Sequence, residues 1–366
     1  MLKRFFGLAG IFFAILFACA PQKPTVKPER VKPEVYYQRG LTHLTNDSLK
    51  AAARNFHASI KADSNFADGY AGLAFLLAKR GAFDKAYSYA DKALNKRPSA
   101  DSHYFMGRIL LMDEQTEQLD QAISHFDKSI FMDSTQVQTL YYKGIALKKE
   151  YQFKQAFDAL QKCSDKSEEC AKKAKDEIAF LKKVLSANPR TQIGRRLVLK
   201  DALTRADVAA LLVQELNVME LLRHTRPLNN STAKKQESDN IPKITDISDH
   251  WARSFITNLV SEHIMNVYPD NTFRPEHKVK RHDFAVILQN VYVKITGKQD
   301  VTTRYIDTPS TFPDVQRSHY AYNAIQLFVH LDVMSVDQMT GEFEGSRVIK
   351  GVEALSSIHT LRNILE

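Results

Sequence analysis

The stretch ITDISDHWARSFITNLVSEHIMNVYPDNTFRPEHKVKRHDFAVILQNVY, residues 244–292, decides how the C-terminal half must fold. An aspartate-containing turn leads into Trp251-Ala252, after which Ile256, Leu259, Val260 and Ile264 recur at helical spacing. YPDNTFRP, residues 268–275, then interrupts, because proline and Asp-Asn favour a turn. Phe284, Ile287, Leu288 and Val291 next share one face of a second helix. The stretch therefore specifies helix, loop, helix, with a basic run from Lys278 to Arg281 at the entrance to the second helix.

The unit recurs. A copy begins at Phe312-Pro313-Asp314-Val315, with Tyr320-Ala321 in the Trp-Ala place and Ala324, Ile325, Leu327, Phe328 and Leu331 forming its first helix. TGEFEG, residues 340–345, stands where DNTFRP stood, and Ile349-Lys350-Gly351-Val352-Glu353 opens its last helix. An earlier copy is partial. LTRADVAALLVQEL, residues 203–216, opens a second helix with no Trp-Ala half upstream, so the charged helix at 168–185 is the candidate for that half.

These residues resemble the S-layer homology repeat, whose pattern joins an aspartate turn, a Trp-Ala pair, a Tyr-Pro-Asp-Gly-type turn and a Thr-Arg-Ala-Glu helix start. Asn271 replaces the glycine, and Lys-Arg-His-Asp replaces the last box. The resemblance implies a module over 189–366, with a partial first repeat at 189–226, a second at 244–294 and a third at 312–366. Three such repeats pack about a pseudo-threefold axis, and their grooves bind anionic cell-wall glycan or peptidoglycan through that arginine with nearby Trp and Lys.

Carried onto this chain, the wall-polymer-binding residues are Arg205, Trp251, Lys280, Arg281, Tyr320 and Lys350, since Gly351 holds the arginine place in the third copy. A guanidinium fork matches two carboxylate oxygens, which suits the expected ligand. Thr204 and Asp207 have capping-box spacing, so Arg205 is left for another task. A helical bundle of the same repeats without glycan affinity stays open as the alternative.

Residues 35–167 carry a different period. Tyr36, Gly40, Ala52, Phe56 and Ser59 return 34 residues later as Tyr70, Ala74, Ala86, Ala90 and Ala93. A third copy shows Gly107, Ala122, Phe126 and Ser129; a fourth shows Leu140, Gly144, Leu147, Ala156, Leu160 and Cys163. This resembles the tetratricopeptide repeat, with residues 168–188 as the capping and connecting helix that such arrays need. The resemblance implies an all-α hairpin solenoid whose concave groove takes a protein partner. Tyr37, Tyr70, Tyr104 and Tyr141 sit at repeat positions and read as core.

Thirteen glycines among 366 residues fit helices better than a glycine-dependent barrel or nucleotide-binding sheet. Residues 1–19 read as an export leader: Lys3 and Arg4 precede the apolar run from Phe5 to Phe17. Leu16-Phe17-Ala18-Cys19 resembles a lipobox, which implies lipidation at Cys19, and Ala20 after it points to the outer membrane. The four prolines of residues 20–34 make an extended tether. Cys163 and Cys170 lie about 10 Å apart on any straight helix, so a disulfide requires the polar SDKSEE between them to fold back. The sequence leaves both states open.

The net charge of +9 sits in the first half: residues 1–189 hold 29 Lys+Arg against 21 Asp+Glu, and the rest 22 against 21. Spread so thinly, it does not make a nucleic-acid stripe. No GxSxG, P-loop, HExxH or paired CxxC is present, so neither catalysis nor a cofactor is expected. His250, His282 and His319 fall at corresponding repeat places but lack a ligand-spaced carboxylate or cysteine, so no metal is expected. Asp246, Asp249, Asp270 and Asp314 read as turn and helix caps rather than acid–base pairs. The expectation is a non-enzymatic envelope lipoprotein that binds wall polymer and a protein; a scaffold subunit of an outer-membrane machine is the alternative.

Overall fold

Close approach between paired helices builds the N-terminal half. The computed structural model describes residues 31–114, 118–225 and 243–366. Cys19, the leader and most of the expected tether lie outside these. Four antiparallel hairpins follow: α1 (Pro33–Thr45) with α2 (Leu49–Ala62), α3 (Ala67–Ala78) with α4 (Phe83–Lys96), α5 (Ala100–Met112) with α6 (Leu119–Met132), and α7 (Val137–Lys149) with α8 (Phe153–Lys166). The helix starts two residues inside the expected tether because Pro33 occupies the first turn, where its missing N–H is not needed.

The recurring small and large residues interlock. A Cβ added to Gly40 would stand 2.4 Å from the Phe56 ring, and one added to Gly107 would stand 2.7 Å from Phe126. Gly144 meets Leu160 in the same way at 2.6 Å. Phe56, Phe126 and Leu160 are completely buried, so each large side chain fills the notch its glycine leaves.

Ser167 ends α8 and caps α9 (Glu168–Ala187), its hydroxyl accepting the Cys170 N–H at 3.4 Å. That extended residue turns the chain back, bringing the Cys163 and Cys170 Cα atoms to 5.7 Å with the sulfurs paired.

Beyond α9 come α10 (Gln192–Leu197), α11 (Arg205–Gln214), α12 (Val218–Thr225), α13 (Arg253–Ser261), α14 (Arg281–Thr296), α15 (Tyr322–His330) and α16 (Gly351–Leu365). Three equivalent packings relate them: α11 against α13, α14 against α15, and α16 against α9. The helix that caps the array thus also supplies the first-helix place of the partial repeat.

Two rings of backbone hydrogen bonds close the pseudo-threefold module. Leu203 N–H donates to Ile349 O at 3.0 Å, Ile349 N–H to Val279 O at 2.9 Å, and Val279 N–H to Leu203 O at 2.9 Å. Around it, Arg205 N–H reaches His277 O at 2.9 Å, Arg281 N–H reaches Arg347 O at 2.9 Å, and Gly351 N–H reaches Lys200 O at 2.8 Å. First-turn donors that a helix cannot satisfy internally are therefore met by the neighbouring repeat. Among the described residues the chain is all-α, with isolated bridges Thr204–Lys278 and Lys280–Val348 but no strand. One core runs from Leu147 to Leu361, so the last hairpin, α9 and the module share an interior; the earlier hairpins bury a second one.

Candidate functional site

Each complete repeat folds its turn around a buried aromatic. Phe273 and Phe343 are fully enclosed. The Asp246 carboxylate accepts the Phe273 and Arg274 N–H groups at 2.8 and 2.7 Å, and Asp314 does the same for Phe343 and Glu344. These two aspartates, expected as caps at their own place in the chain, instead hold a loop 27–30 residues away. Asp270 does serve its own turn: it accepts the Thr272 N–H and hydroxyl, which pull its carboxyl down to about 2. Asn271 takes the glycine place at φ 58°, a left-handed conformation asparagine tolerates.

The arginines lie across these loops. Arg205 passes over Phe273 at 4.4 Å; its Nε donates to Phe273 O at 2.8 Å and its Nη2 to Asn266 O at 2.7 Å. Arg281 repeats this on the next repeat, 4.6 Å over Phe343, donating to Phe343 O at 2.8 Å and Ser335 O at 2.6 Å. It also pairs with Glu353 and is only 3 % exposed; burial draws its pKa down to about 10.

Expected to grip a ligand, Arg281 is therefore enclosed as a lock between the second and third repeats. Besides the Glu353 carboxylate, its acceptors are main-chain carbonyls. Gly351 lacks that side chain for a steric reason: an added Cβ would stand 1.8 Å from Leu197 O, where the first repeat crosses.

Arg205, half-buried, keeps one edge on a cleft of about 280 Å³ that it shares with Tyr268, His277, Lys278, Asp283 and Tyr320. Tyr320 is 66 % exposed, yet partial burial of its hydroxyl end, with the hydrogen bond it donates to Asp283, raises its phenol pKa well above the usual range. Of the expected residues, Arg205 and Tyr320 are brought together here. Lys280 and Lys350 are exposed N-caps outside this lining. Trp251 stands apart as well, 46 % exposed, with Arg196 5.3 Å over its ring. Lys278 and His277 were not anticipated; the basic run that Lys278 opens, with His277 just before it, was the available signal.

The corresponding histidines have local work. Nδ1 of His250 and of His319 accepts the N–H of Ala252 and Ala321, at 3.1 and 3.2 Å, and so fixes the start of each first helix. Among the described residues no group of three or more His, Cys, Asp or Glu is arranged to hold a metal.

The array offers a larger recess, about 650 Å³, along its concave side. Tyr104 and Tyr141, read from sequence as core, line it together with Tyr142. Tyr104 is nearly buried, which pushes its phenol up to about 12, whereas Tyr141 is only half-buried. Arg108 is sandwiched between Phe75 at 4.0 Å and Tyr142 at 4.1 Å, and Lys173 of α9 stands 4.6 Å from the Tyr142 ring.

Residues 243–285 match the S-layer homology domain family. The chain is 31% identical over 86 residues to Cell surface glycoprotein 1 of Acetivibrio thermocellus, covering 23% of this chain and 3% of that protein. It is 35% identical over 54 residues to the Cellulosome-anchoring protein of the same organism, 15% of this chain and 12% of that one. Against the Outer membrane protein SlpA of Deinococcus radiodurans it is 36% identical over 58 residues, 16% and 5% of the two chains. The chain thus spans a small fraction of these relatives.

Among solved structures, YrrB, described as a TPR protein with an unusual peptide-binding site, aligns at TM-score 0.28 and 17% identity over 36% of this chain and 67% of that one. MamA aligns at 0.28 and 19%, over 37% and 72%. Among the described residues no helix is long and apolar enough to cross a membrane.

Proposed function

We propose that this chain is a non-enzymatic bridge of the cell envelope: its C-terminal module binds an anionic wall polymer or peptidoglycan, and its array binds a protein partner. The observation that carries the reading is the cleft of Arg205, His277 and Lys278 beside Tyr268 and Tyr320, built largely within and beside the matched repeat. The cationic Arg205 and Lys278 next to exposed aromatic edges suit a sugar chain bearing carboxylates or phosphates. The relative named as a cellulosome-anchoring protein supports an anchoring role for such repeats.

Retention of the full chain on purified sacculi tests this, with Lys278→Glu and Tyr320→Ala as variants because both side chains are exposed. Retention that neither variant reduces, or no retention at all, removes the reading. The acyl anchor at Cys19 and an outer-membrane location belong to the same proposal; incorporation of labelled palmitate, lost in Cys19→Ser, is the check.

A second reading rests on the enclosure of Arg281: repeats whose arginine locks the fold can serve as a protein contact in an outer-membrane scaffold. Crosslinking in intact cells then gives one dominant protein partner of the module and no sacculus binding.

A further inference from the structure

The concave groove holds two cations facing one ring without an acidic partner. Arg108 and Lys173 both stand on Tyr142; Arg108 also donates to the Tyr104 hydroxyl at 3.2 Å, and Lys173 to the Tyr142 hydroxyl at 3.1 Å. Among the described residues neither has a carboxylate within ion-pair distance. The other lining charges differ. Lys79 pairs with Asp47 at 2.9 Å, and Asp101 accepts hydrogen bonds from Tyr37 and Gln136. Glu169 lines the α9 end, one turn before Lys173. Leu41 and Leu44, half-buried on α1, line the same groove with Phe105.

A planar guanidinium fixed between two rings, with N–H groups left over, is organised before any ligand arrives. Holding it half-buried without a counter-charge is unfavourable until an anion supplies one.

We infer that the groove takes an extended peptide carrying a carboxylate, gripped by Arg108 and Lys173, with an apolar side chain of the peptide against Leu41 and Leu44. This rests on the reading of the groove as a protein-binding site and names the chemistry it selects. The recess is of a size that encloses a short segment rather than a folded face. Glu169 disfavours a second carboxylate at the α9 end and so sets the direction of the segment.

The test uses the full chain and two pools of labelled octapeptides of Leu, Ala and Val, acetylated and C-terminally amidated, one with a single fixed Glu and the other with Gln at the same position. Fluorescence anisotropy should show saturable binding of the Glu pool, about tenfold weaker for the Gln pool. Arg108→Gln and Lys173→Gln should each weaken the Glu pool by about tenfold, with Arg108→Lys recovering only part of the loss. Circular dichroism melts of the variants must match the parent.

Equal binding of both pools, blocked by Leu44→Trp, overturns the charge selection while leaving a peptide groove. If neither pool binds, both ideas fall. Tighter binding of polygalacturonate than of the Glu pool at this groove shows that the ligand class is wrong.

Discussion

Replacing Arg281 by methionine keeps most of the side-chain volume and removes the charge, so it isolates what the guanidinium does. Three things are lost together: hydrogen bonds to the Phe343 and Ser335 carbonyls and the pairing with Glu353. Glu353 is the least affected, since Arg347 stays at 3.2 Å and its side chain is 21 % exposed. The two carbonyls lie beneath a side chain that is 3 % exposed, so water replaces the donors poorly. Removing one member of such a buried, charged set costs about 3–5 kcal/mol. Arg205→Met breaks the two equivalent carbonyl bonds, to Phe273 and Asn266, at a half-exposed site where no carboxylate is ion-paired among the described residues, which gives about 1–3 kcal/mol. Trp251, the single tryptophan, sits on the module and reports its urea unfolding directly. The larger loss should appear at Arg281, with sacculus retention falling only as far as the folded fraction falls. An Arg281→Met protein with an unchanged urea midpoint that no longer binds sacculi would refute the lock and make Arg281 a ligand residue after all.

Placing an arginine in the third repeat where Arg205 and Arg281 stand in the others, Gly351→Arg, should destabilise the module by about 3 kcal/mol or more, because its Cβ would press on the Leu197 carbonyl; thermal melts decide, and a stabilised variant contradicts the ring packing. Phe56→Ala empties the notch between Gly40 and Gly72 and should cost about 3–5 kcal/mol by urea unfolding. His103 and His125 face each other, Nδ1 to Nδ1 at 2.9 Å, and burial with the neighbouring His103 and Lys128 lowers the pKa of His125 to about 4. The unfolded chain then takes up the proton first, so stability should be full above about pH 6.5 and decline from there to about pH 4; His125→Gln should flatten that slope, and an unchanged slope removes the assignment. Cys163 and Cys170 should resist maleimide labelling until reduced, and their double serine variant should lose about 2–3 kcal/mol, the loop-closure value for so short a ring.

Much of this architecture could be read in advance because it rests on local rules. The 34-residue recurrence of small and large residues is visible as letters, and Gly40 beneath Phe56 is its direct physical cause. The missing first half of the earliest repeat could be assigned to the charged helix before α10, the same segment already expected to cap the array, because it is the helix that directly precedes that repeat. The arginines were harder. The acceptors the two share are main-chain carbonyls 54–68 residues away, which leave no side-chain signature, so the same letters served for a ligand grip or an internal clasp. Lys278 and His277 were hidden for a related reason: backbone contacts, the bridge to Thr204 and the Arg205 N–H bond to His277 O, set them beside Arg205. At the groove, Tyr104 and Tyr141 looked like repeat core, and nothing in the period marked Arg108 as lying between two rings.

Helix α9 carries Lys173 into the groove at one end and Leu181 and Val184 into the interior of the module towards the other. Twenty residues of continuous helix make a strut of about 30 Å. Whatever holds the module therefore fixes the compass bearing of the groove, and a load on one is felt at the other without slack. On the proposed function the angle between wall polymer and peptide is set when the protein folds, as in a wrench with both jaws forged on one shaft.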